Sequence, residues 1–175
     1  MDNRLKRAPG IYLTGFMGSG KSTIARLLAD RLGWDFIDLD GEIEAAEHTT
    51  IAQIFEQRGE AEFRRIESEV LKNILRKIQG IAPSVVALGG GTFTQPANAL
   101  MMEGHGVSIW LDCPFETIRQ RIAEAESRPL ARDPGQFRRL FEERRSAYAR
   151  ADYKVDAECA PEQAVDAILN LPCWR

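Results

Sequence analysis

The stretch that decides the fold is GIYLTGFMGSGKSTIARLLADRL, residues 10–32. It opens with apolar residues typical of a buried strand, passes through a glycine-rich turn, and then carries apolar residues at helical spacing over 24–32. The turn, GFMGSGKS at 15–22, fits the pattern G-x-x-x-x-G-K-[ST] without a gap. Strand, turn and helix in this order predict a phosphate-binding loop.

The residue types of this turn suit phosphate chemistry. Its glycines let successive backbone N–H groups point inward around phosphate oxygens, and the following helix adds its N-terminal dipole. Lys21 is expected to contact the β- and γ-phosphates, and the Ser22 hydroxyl is expected to bind the Mg²⁺ that accompanies a nucleotide. A purely structural glycine-rich turn is the alternative, which the flanking strand and helix disfavour.

Length and composition limit the class of protein. The chain has 175 residues, a net charge of −3, 44% hydrophobic residues and 28% charged residues. These values are typical of a single globular domain, 1–175, and give no electrostatic footprint for nucleic acid. Neither a membrane span nor an apolar signal segment is evident, so we expect a cytoplasmic protein, with a monomer as the default. Three cysteines without C-x-x-C spacing predict neither disulfides nor a zinc site.

Strand and helix patterns alternate along the chain, which predicts an α/β fold with a mainly parallel sheet. A surface loop of high mobility is predicted over 127–135, where SRPLARDPG lacks helical periodicity. Strands are predicted to end near residue 13 and to cover 34–38, 85–88, 106–111 and 153–155. Helices are predicted over 22–32, 41–47, 51–58, 60–78, 114–125, 136–148 and 161–169.

Two carboxylates follow the second predicted strand. Asp38 and Asp40 stand at the edge of the sheet where open α/β folds bind ligands, and in extended chain both would project to the same side. A plain turn is the alternative, because D-L-D-G is good turn composition. The later strand at 85–88 leads to glycine and not to aspartate, so Asp38 is the best candidate for the magnesium shell. Asp40 would then face the substrate.

Three further features are candidates for substrate binding. Arg64 and Glu67 share a helix face, and an arginine held by a carboxylate suits a substrate carboxylate, although a solvated ion pair is the alternative. The run Gly89-Gly90-Gly91 directly after a buried strand allows close approach to a small ligand. Arg128 in the predicted loop and Arg144 on the next helix are candidate cations for the same cleft.

With these residues in view, the sequence closely resembles the shikimate kinase family over nearly its whole length. The matching segments are GFMGSGKST (15–23), FIDLD (36–40), GEAEFRRIE (59–67), LGGGT (88–92) and Arg128-Pro129-Leu130. The resemblance implies a P-loop NTPase of nucleoside-monophosphate-kinase-like fold, a three-layer α/β/α arrangement with a five-stranded parallel sheet. It also implies a substrate-binding helical region at about 40–67 and a lid at about 121–135.

The resemblance further implies an ATP-dependent transferase, with Mg²⁺, that phosphorylates the 3-hydroxyl of shikimate in chorismate and aromatic amino-acid biosynthesis. By the same resemblance, Asp40 is the candidate base and Lys21 and Arg128 stabilise the transferring phosphate. Shikimate would contact Asp40, Arg64, Gly89, Gly90, Gly91 and Arg144. ATP would contact Gly18, Ser19, Gly20, Lys21, Ser22, Thr23, Arg121 and Arg128. Magnesium would be bound by Ser22, with Asp38 behind it.

Two other functions stay open from the residues. A kinase of another small hydroxy acid, such as gluconate, would share the phosphate loop, and a non-catalytic kinase-like protein would bind nucleotide as a switch. The doubled arginine Arg144-Arg145 leaves two candidates for the second arginine that, by the resemblance, would hold the shikimate carboxylate. We choose Arg144 because it precedes Tyr148 by four residues.

Overall fold

A computed structural model describes residues 10–80, 82–124 and 133–174 of the chain. At its centre is a sheet of five parallel strands, as expected. Their order across the sheet is the second, third, first, fourth and fifth along the chain. The strands are β1 (Gly10–Thr14), β2 (Asp35–Asp38), β3 (Ser84–Ala87), β4 (Gly106–Asp112) and β5 (Tyr153–Asp156).

Helices connect the strands. In the described ranges they are α1 (Lys21–Leu32), α2 (Leu39–Glu47), α3 (Ile51–Gly80), α4 (Pro96–Met102), α5 (Phe115–Glu124), α6 (Pro134–Tyr148) and α7 (Pro161–Leu169). A 3-10 helix, Pro172–Trp174, closes the described chain. None of the helices described has both the length and the apolar character needed to cross a membrane.

The order of the strands explains the layers. From β1 the chain crosses through α1 to β2 at one edge, whereas from β3 it crosses through α4 to β4 on the other side of β1. Crossovers between parallel strands are right-handed in nearly all proteins, so connections in opposite directions put their helices on opposite faces. The sheet is therefore covered on both sides, and ligands of such folds bind at the strand ends where the direction changes.

The central strands β1 and β3 are rich in apolar residues because both of their faces are covered. Every residue of β1 and β3 is buried. Tyr12 in β1 is fully buried, and burial raises the pKa of its hydroxyl, which donates to the His105 carbonyl at 3.2 Å. The sheet thus gives the loops at its carboxyl edge a rigid base.

The aspartate pair differs from the prediction. Helix α2 begins at Leu39, two residues before the predicted start, and Asp38 is its N-cap. One Asp38 carboxylate oxygen accepts from the backbone N–H groups of Asp40 and Gly41, at 3.2 and 3.5 Å. Capping by aspartate stabilises the first turn of a helix. Asp40 therefore lies in a helical turn, and the expectation of two carboxylates in extended chain is wrong.

Two further predictions of secondary structure also need correction. Helix α4 was not predicted; it begins with Pro96, which is harmless at a helix start, and it has only seven residues. The predicted loop over 127–135 ends sooner than expected, because Asp133 caps α6 and Pro134 is already helical. Residues 125–132, which include most of the predicted lid, lie outside the described residues.

The predicted break between the helices at 51–58 and 60–78 is confirmed. Within α3, Gly59 has φ 81° and ψ 173°, a conformation open essentially to glycine alone. A Cβ atom added there would meet nothing within 4 Å. The break separates a short first segment from the long second segment that carries Arg64 and Glu67.

Candidate active site

One cavity lies at the carboxyl edge of the sheet, where the loops after β1, β2 and β3 meet. Its volume is about 420 Å³, and α3 and α6 supply the rest of its wall. The lining residues are Met17, Gly18, Gly20, Lys21, Ser22, Thr23, Asp38, Asp40, Ile51, Phe55, Phe63, Arg64, Glu67, Leu88, Gly89, Gly90, Gly91 and Arg144. Most of the residues that the sequence predicts to be functional therefore line the same cavity.

The phosphate loop has the backbone that its glycines predict. Gly15, Gly18 and Gly20 have φ values of 146°, 80° and 92°. At Gly15 a Cβ atom would stand 2.7 Å from the carbonyl oxygen of Leu111 in β4, so the loop packs directly on the sheet. The Lys21 ammonium donates to the carbonyls of Gly15 and Phe16, at 2.9 and 3.0 Å, and thus lies over the loop.

Ser22 and Asp38 come together at the start of α1. The Ser22 hydroxyl donates to one Asp38 carboxylate oxygen at 2.6 Å, while the other oxygen caps α2. The cap fixes the carboxylate, and both groups line the cavity. Hydroxyl and carboxylate oxygens are the kind of ligands that Mg²⁺ accepts beside substrate phosphates, so the two side chains fit such an ion.

The glycines after β3 make room for two charged side chains. A Cβ atom added at Gly89 would stand 2.9 Å from Asp40 Oδ1, and one added at Gly91 would stand 2.5 Å from a guanidinium nitrogen of Arg64. Contacts this short are not tolerated, so any side chain here would displace the charged groups. The glycine run is therefore a packing surface for the site and not a flexible connection.

Gly90 joins the same surface to α6. Its carbonyl accepts a hydrogen bond from the Tyr148 hydroxyl, and an added Cβ atom would stand 3.2 Å from Arg144 Nη1. Burial raises the pKa of Tyr148 to about 12, although the neighbouring Arg144 opposes this rise. Tyr148 is therefore protonated at neutral pH and donates to Gly90. From the sequence, Tyr148 served only to select Arg144 by its spacing, and the hydrogen bond of Tyr148 to Gly90 was not predicted.

The structure separates the two adjacent arginines. Arg145 donates to both carboxylate oxygens of Asp112, at 2.8 and 3.4 Å, and lies over the Trp110 ring at 5.0 Å. Arg144 lies over Phe16 at 5.7 Å and lines the cavity. Of the two, Arg144 is the one placed to meet a ligand.

Arg64 is held by a buried carboxylate. Arg64 Nη1 donates to Glu67 at 2.8 Å, and the side chain of Glu67 is only 1% exposed. Glu60 lies 3.6 Å away on the solvent side. A buried carboxylate that pairs with one guanidinium edge leaves the rest of the fork to a second anion, so Arg64 can bind a ligand carboxylate.

Part of the cavity wall is apolar and lies in the predicted substrate-binding region at about 40–67, although none of its apolar residues was singled out from the sequence. Ile51, Phe55 and Phe63 line the cavity, and the Phe55 and Phe63 rings lie 4.5 Å apart. Phe55 is 38% exposed. The pattern at 51–58 showed only a helix face, and nothing local separates a cavity wall from a core contact.

Two of the predicted ATP contacts do not line this cavity, and a third lies outside the described residues. Arg121 donates to the carbonyls of Gly18 and Ala157, at 3.3 and 3.2 Å, and so touches the phosphate loop without lining the cavity. The Ser19 side chain is fully buried and does not line the cavity either. Arg128 lies outside the described residues.

The parallel sheet and its phosphate loop define a P-loop NTPase fold, in which the loop binds the phosphates of a nucleotide. A family model described as shikimate kinase matches residues 17–171. The chain belongs to the shikimate kinase family.

Individual relatives and solved structures similar to the chain are also shikimate kinases. Shikimate kinase from Ruegeria pomeroyi is 43% identical over 164 residues, 91% of this chain and 82% of that protein. The crystal structure of shikimate kinase from Aquifex aeolicus has a TM-score of 0.82 at 42% identity and covers 91% of this chain and 94% of that one. Shikimate kinase from Acinetobacter baumannii, solved in complex with shikimate, has a TM-score of 0.81 at 34% identity and covers 94% and 95%.

Proposed function

We propose that this protein transfers the γ-phosphate of ATP to the 3-hydroxyl of shikimate, giving shikimate 3-phosphate and ADP in aromatic amino-acid biosynthesis. One observation carries the proposal. The cavity brings together the phosphate loop with Lys21, the two arginines Arg64 and Arg144, and Asp40 on the same glycine surface. A substrate with a carboxylate and a hydroxyl could thus be held between two arginines and the nucleotide.

The two arginines come from different elements, α3 and α6. Arg64 is fixed by Glu67, and Arg144 stands over Phe16 beside Gly90. Guanidinium groups bind carboxylates in a planar, bidentate manner, and two of them define both position and orientation. Binding energy at the carboxylate then aligns a hydroxyl elsewhere on the same small ring.

Mg²⁺ is part of the proposal, and Ser22 and Asp38 would hold it. When bound with ATP, the ion neutralises charge on the phosphate oxygens. The protein supplies the remaining positive charge through Lys21 and, in the proposed lid at about 121–135, through Arg128. Asp40 accepts the proton of the attacking hydroxyl or orients it, while Arg121 supports the adenine side.

The chain's organisation and its setting are proposed with the function. We propose one kinase domain over 1–175 with a substrate-binding region at about 40–67, acting as a cytoplasmic monomer. The cysteines Cys113, Cys159 and Cys173 are free thiols, which suits a reducing compartment.

A coupled assay of ADP release tests the function. ADP formation from ATP and Mg²⁺ is expected to depend strongly on shikimate, and mass spectrometry of the product is expected to show one added phosphate. Gluconate serves as the comparison acceptor. Slow ADP release that is equal with and without shikimate would contradict the substrate, and phosphorylation of gluconate instead would favour a sugar-acid kinase.

Arg144→Ala and Arg145→Ala are expected to behave differently. Loss of Arg144 removes a charged hydrogen bond to the substrate, so the shikimate KM should rise about tenfold or more. Loss of Arg145 should leave that KM within about twofold and instead lower the free energy of unfolding by about 1 kcal/mol, because its partners are Asp112 and Trp110. Steady-state kinetics and thermal unfolding measure both effects, and reversed effects on KM would assign the site to Arg145.

Asp38→Asn is expected to weaken the response to Mg²⁺. Asparagine still caps α2, so the fold should be kept, while the ion loses a carboxylate partner next to Ser22. The free Mg²⁺ concentration for half-maximal activity should rise about tenfold. The measurement is initial rate against free Mg²⁺ at saturating substrates. An unchanged magnesium profile would remove Asp38 from the proposed metal site.

A further inference from the structure

A chain of buried polar groups lies behind Arg64. Glu67 accepts from Arg64 on one carboxylate oxygen at 2.8 Å and from the Thr92 hydroxyl on the other at 2.6 Å. Thr92 is fully buried and Glu67 is 1% exposed. A hydroxyl has one proton to donate, and here that proton points to Glu67. Both carboxylate oxygens of Glu67 are thus fixed in direction.

A second set of hydrogen bonds fixes Thr92 itself. The Asn98 amide donates to the Thr92 carbonyl at 3.2 Å, and the Ser68 hydroxyl donates to the Asn98 side-chain oxygen at 2.7 Å. Asn98 is fully buried in α4, and Ser68 follows Glu67 directly in α3. The hydrogen bonds therefore form a closed ring that leaves α3 at Glu67, passes through Thr92 and Asn98, and returns at Ser68.

The ring has little freedom to adjust. Polar groups in a low-dielectric interior are costly when unpaired, so each member holds its neighbour in place. The guanidinium of Arg64 is confined from the other side, since a Cβ atom added at Gly91 would stand 2.5 Å from it. The position of Arg64 thus depends on Glu67 behind it and on the backbone at Gly91 beside it.

We propose that Thr92 is a positioning residue for the substrate. Its hydroxyl orients Glu67, and Glu67 in turn holds Arg64 where the substrate carboxylate binds. This inference rests on the proposed function, because it takes Arg64 as a shikimate contact. Thr92 is fully buried and does not line the cavity, so its effect on the substrate passes through Glu67 and Arg64.

The test compares Thr92→Val with Thr92→Ser. Valine keeps the volume and removes the hydroxyl, whereas serine keeps the hydroxyl. Thr92→Val is expected to raise the shikimate KM about five- to twentyfold and to leave the ATP KM unchanged. In the separate variant Thr92→Ser, the shikimate KM should stay within about twofold of the wild-type value. Ser108→Ala is the matched control, because Ser108 also donates from a buried site to a carboxylate, Asp152 at 2.7 Å, near the opposite edge of the sheet.

A double-mutant cycle separates positioning from general loss of stability. If Thr92 acts through Arg64, then adding Thr92→Val to Arg64→Ala should not raise the shikimate KM further. Equal shikimate KM values for Thr92→Val and Thr92→Ser, or a rise in KM with Ser108→Ala as large as with Thr92→Val, would overturn the proposal. Failure of the proposed function gives a different result from failure of this proposal, because the rate of the wild-type protein itself would then not saturate with shikimate.

Discussion

Asp40→Asn lowers kcat by about two to four orders of magnitude, the range expected for loss of a general base. Asparagine has nearly the shape of aspartate but cannot accept the hydroxyl proton. Asp40 lies beside the glycine surface, where a Cβ atom at Gly89 would be 2.9 Å from its carboxylate, and it is exposed, so a side chain of the same size replaces it without disturbing the core. The loss should therefore be chemical and not a result of altered packing.

The comparison that isolates this effect is Glu42→Gln. Glu42 belongs to the same first turn of α2, is exposed and does not line the cavity. Its substitution should leave kcat unchanged, and nucleotide affinity measured by titration should be the same in both variants. If Asp40→Asn kept the turnover of the wild type, the proton would have to leave through another group.

Arg64→Ala raises the shikimate KM about ten- to two-hundredfold, which corresponds to about 1.5–3 kcal/mol for a hydrogen bond between charged groups. The substitution also leaves the buried Glu67 without its cation, which costs folding stability. Kinetics should therefore be measured well below the unfolding temperature of the variant. The shikimate KM of Arg64→Lys should lie between those of the wild type and Arg64→Ala, because an ammonium group keeps the charge but not the bidentate geometry of the guanidinium.

The neighbouring arginine provides the control for Arg64. Arg65 pairs with Glu62 at 2.7 Å and Glu69 at 2.8 Å on the exposed side of α3, and its side chain is 55% exposed. Arg65→Ala removes the same number of charges at an adjacent position, so it should leave the shikimate KM unchanged. A rise in KM of similar size in both variants would indicate long-range attraction of the anion and not a contact at Arg64.

The phosphate loop and the sheet could be predicted from the sequence because their signals are local. The motif over 15–22 is contiguous, and the strands appear as short apolar runs between turns. The break at Gly59 was also predictable, since Arg58-Gly59 closes one apolar pattern before the next begins. Helix α4 was not, because its seven residues are too few to show a helical period.

The details of the site depend on partners that are remote in sequence. Whether Arg144 or Arg145 faces the cavity is decided by Asp112, 33 residues before Arg145. The hydrogen bond between Thr92 and Glu67 joins residues 25 apart, and nothing near either residue indicates it. Asp40 was misplaced for a local reason: an aspartate that ends a strand can either continue the chain or cap a helix, and the composition of D-L-D-G permits both.

The geometry at Gly59 has a consequence for protein chemistry. With φ 81° and ψ 173°, its backbone is the mirror image of an ordinary extended conformation. A Cβ atom of an L-residue at this position would meet nothing within 4 Å beyond the adjoining backbone, so what disfavours an L-residue is the backbone conformation and not a lack of space. What this position demands is a handedness: its dihedral angles strain every L-residue but are those that a D-amino acid, introduced by chemical synthesis, adopts readily.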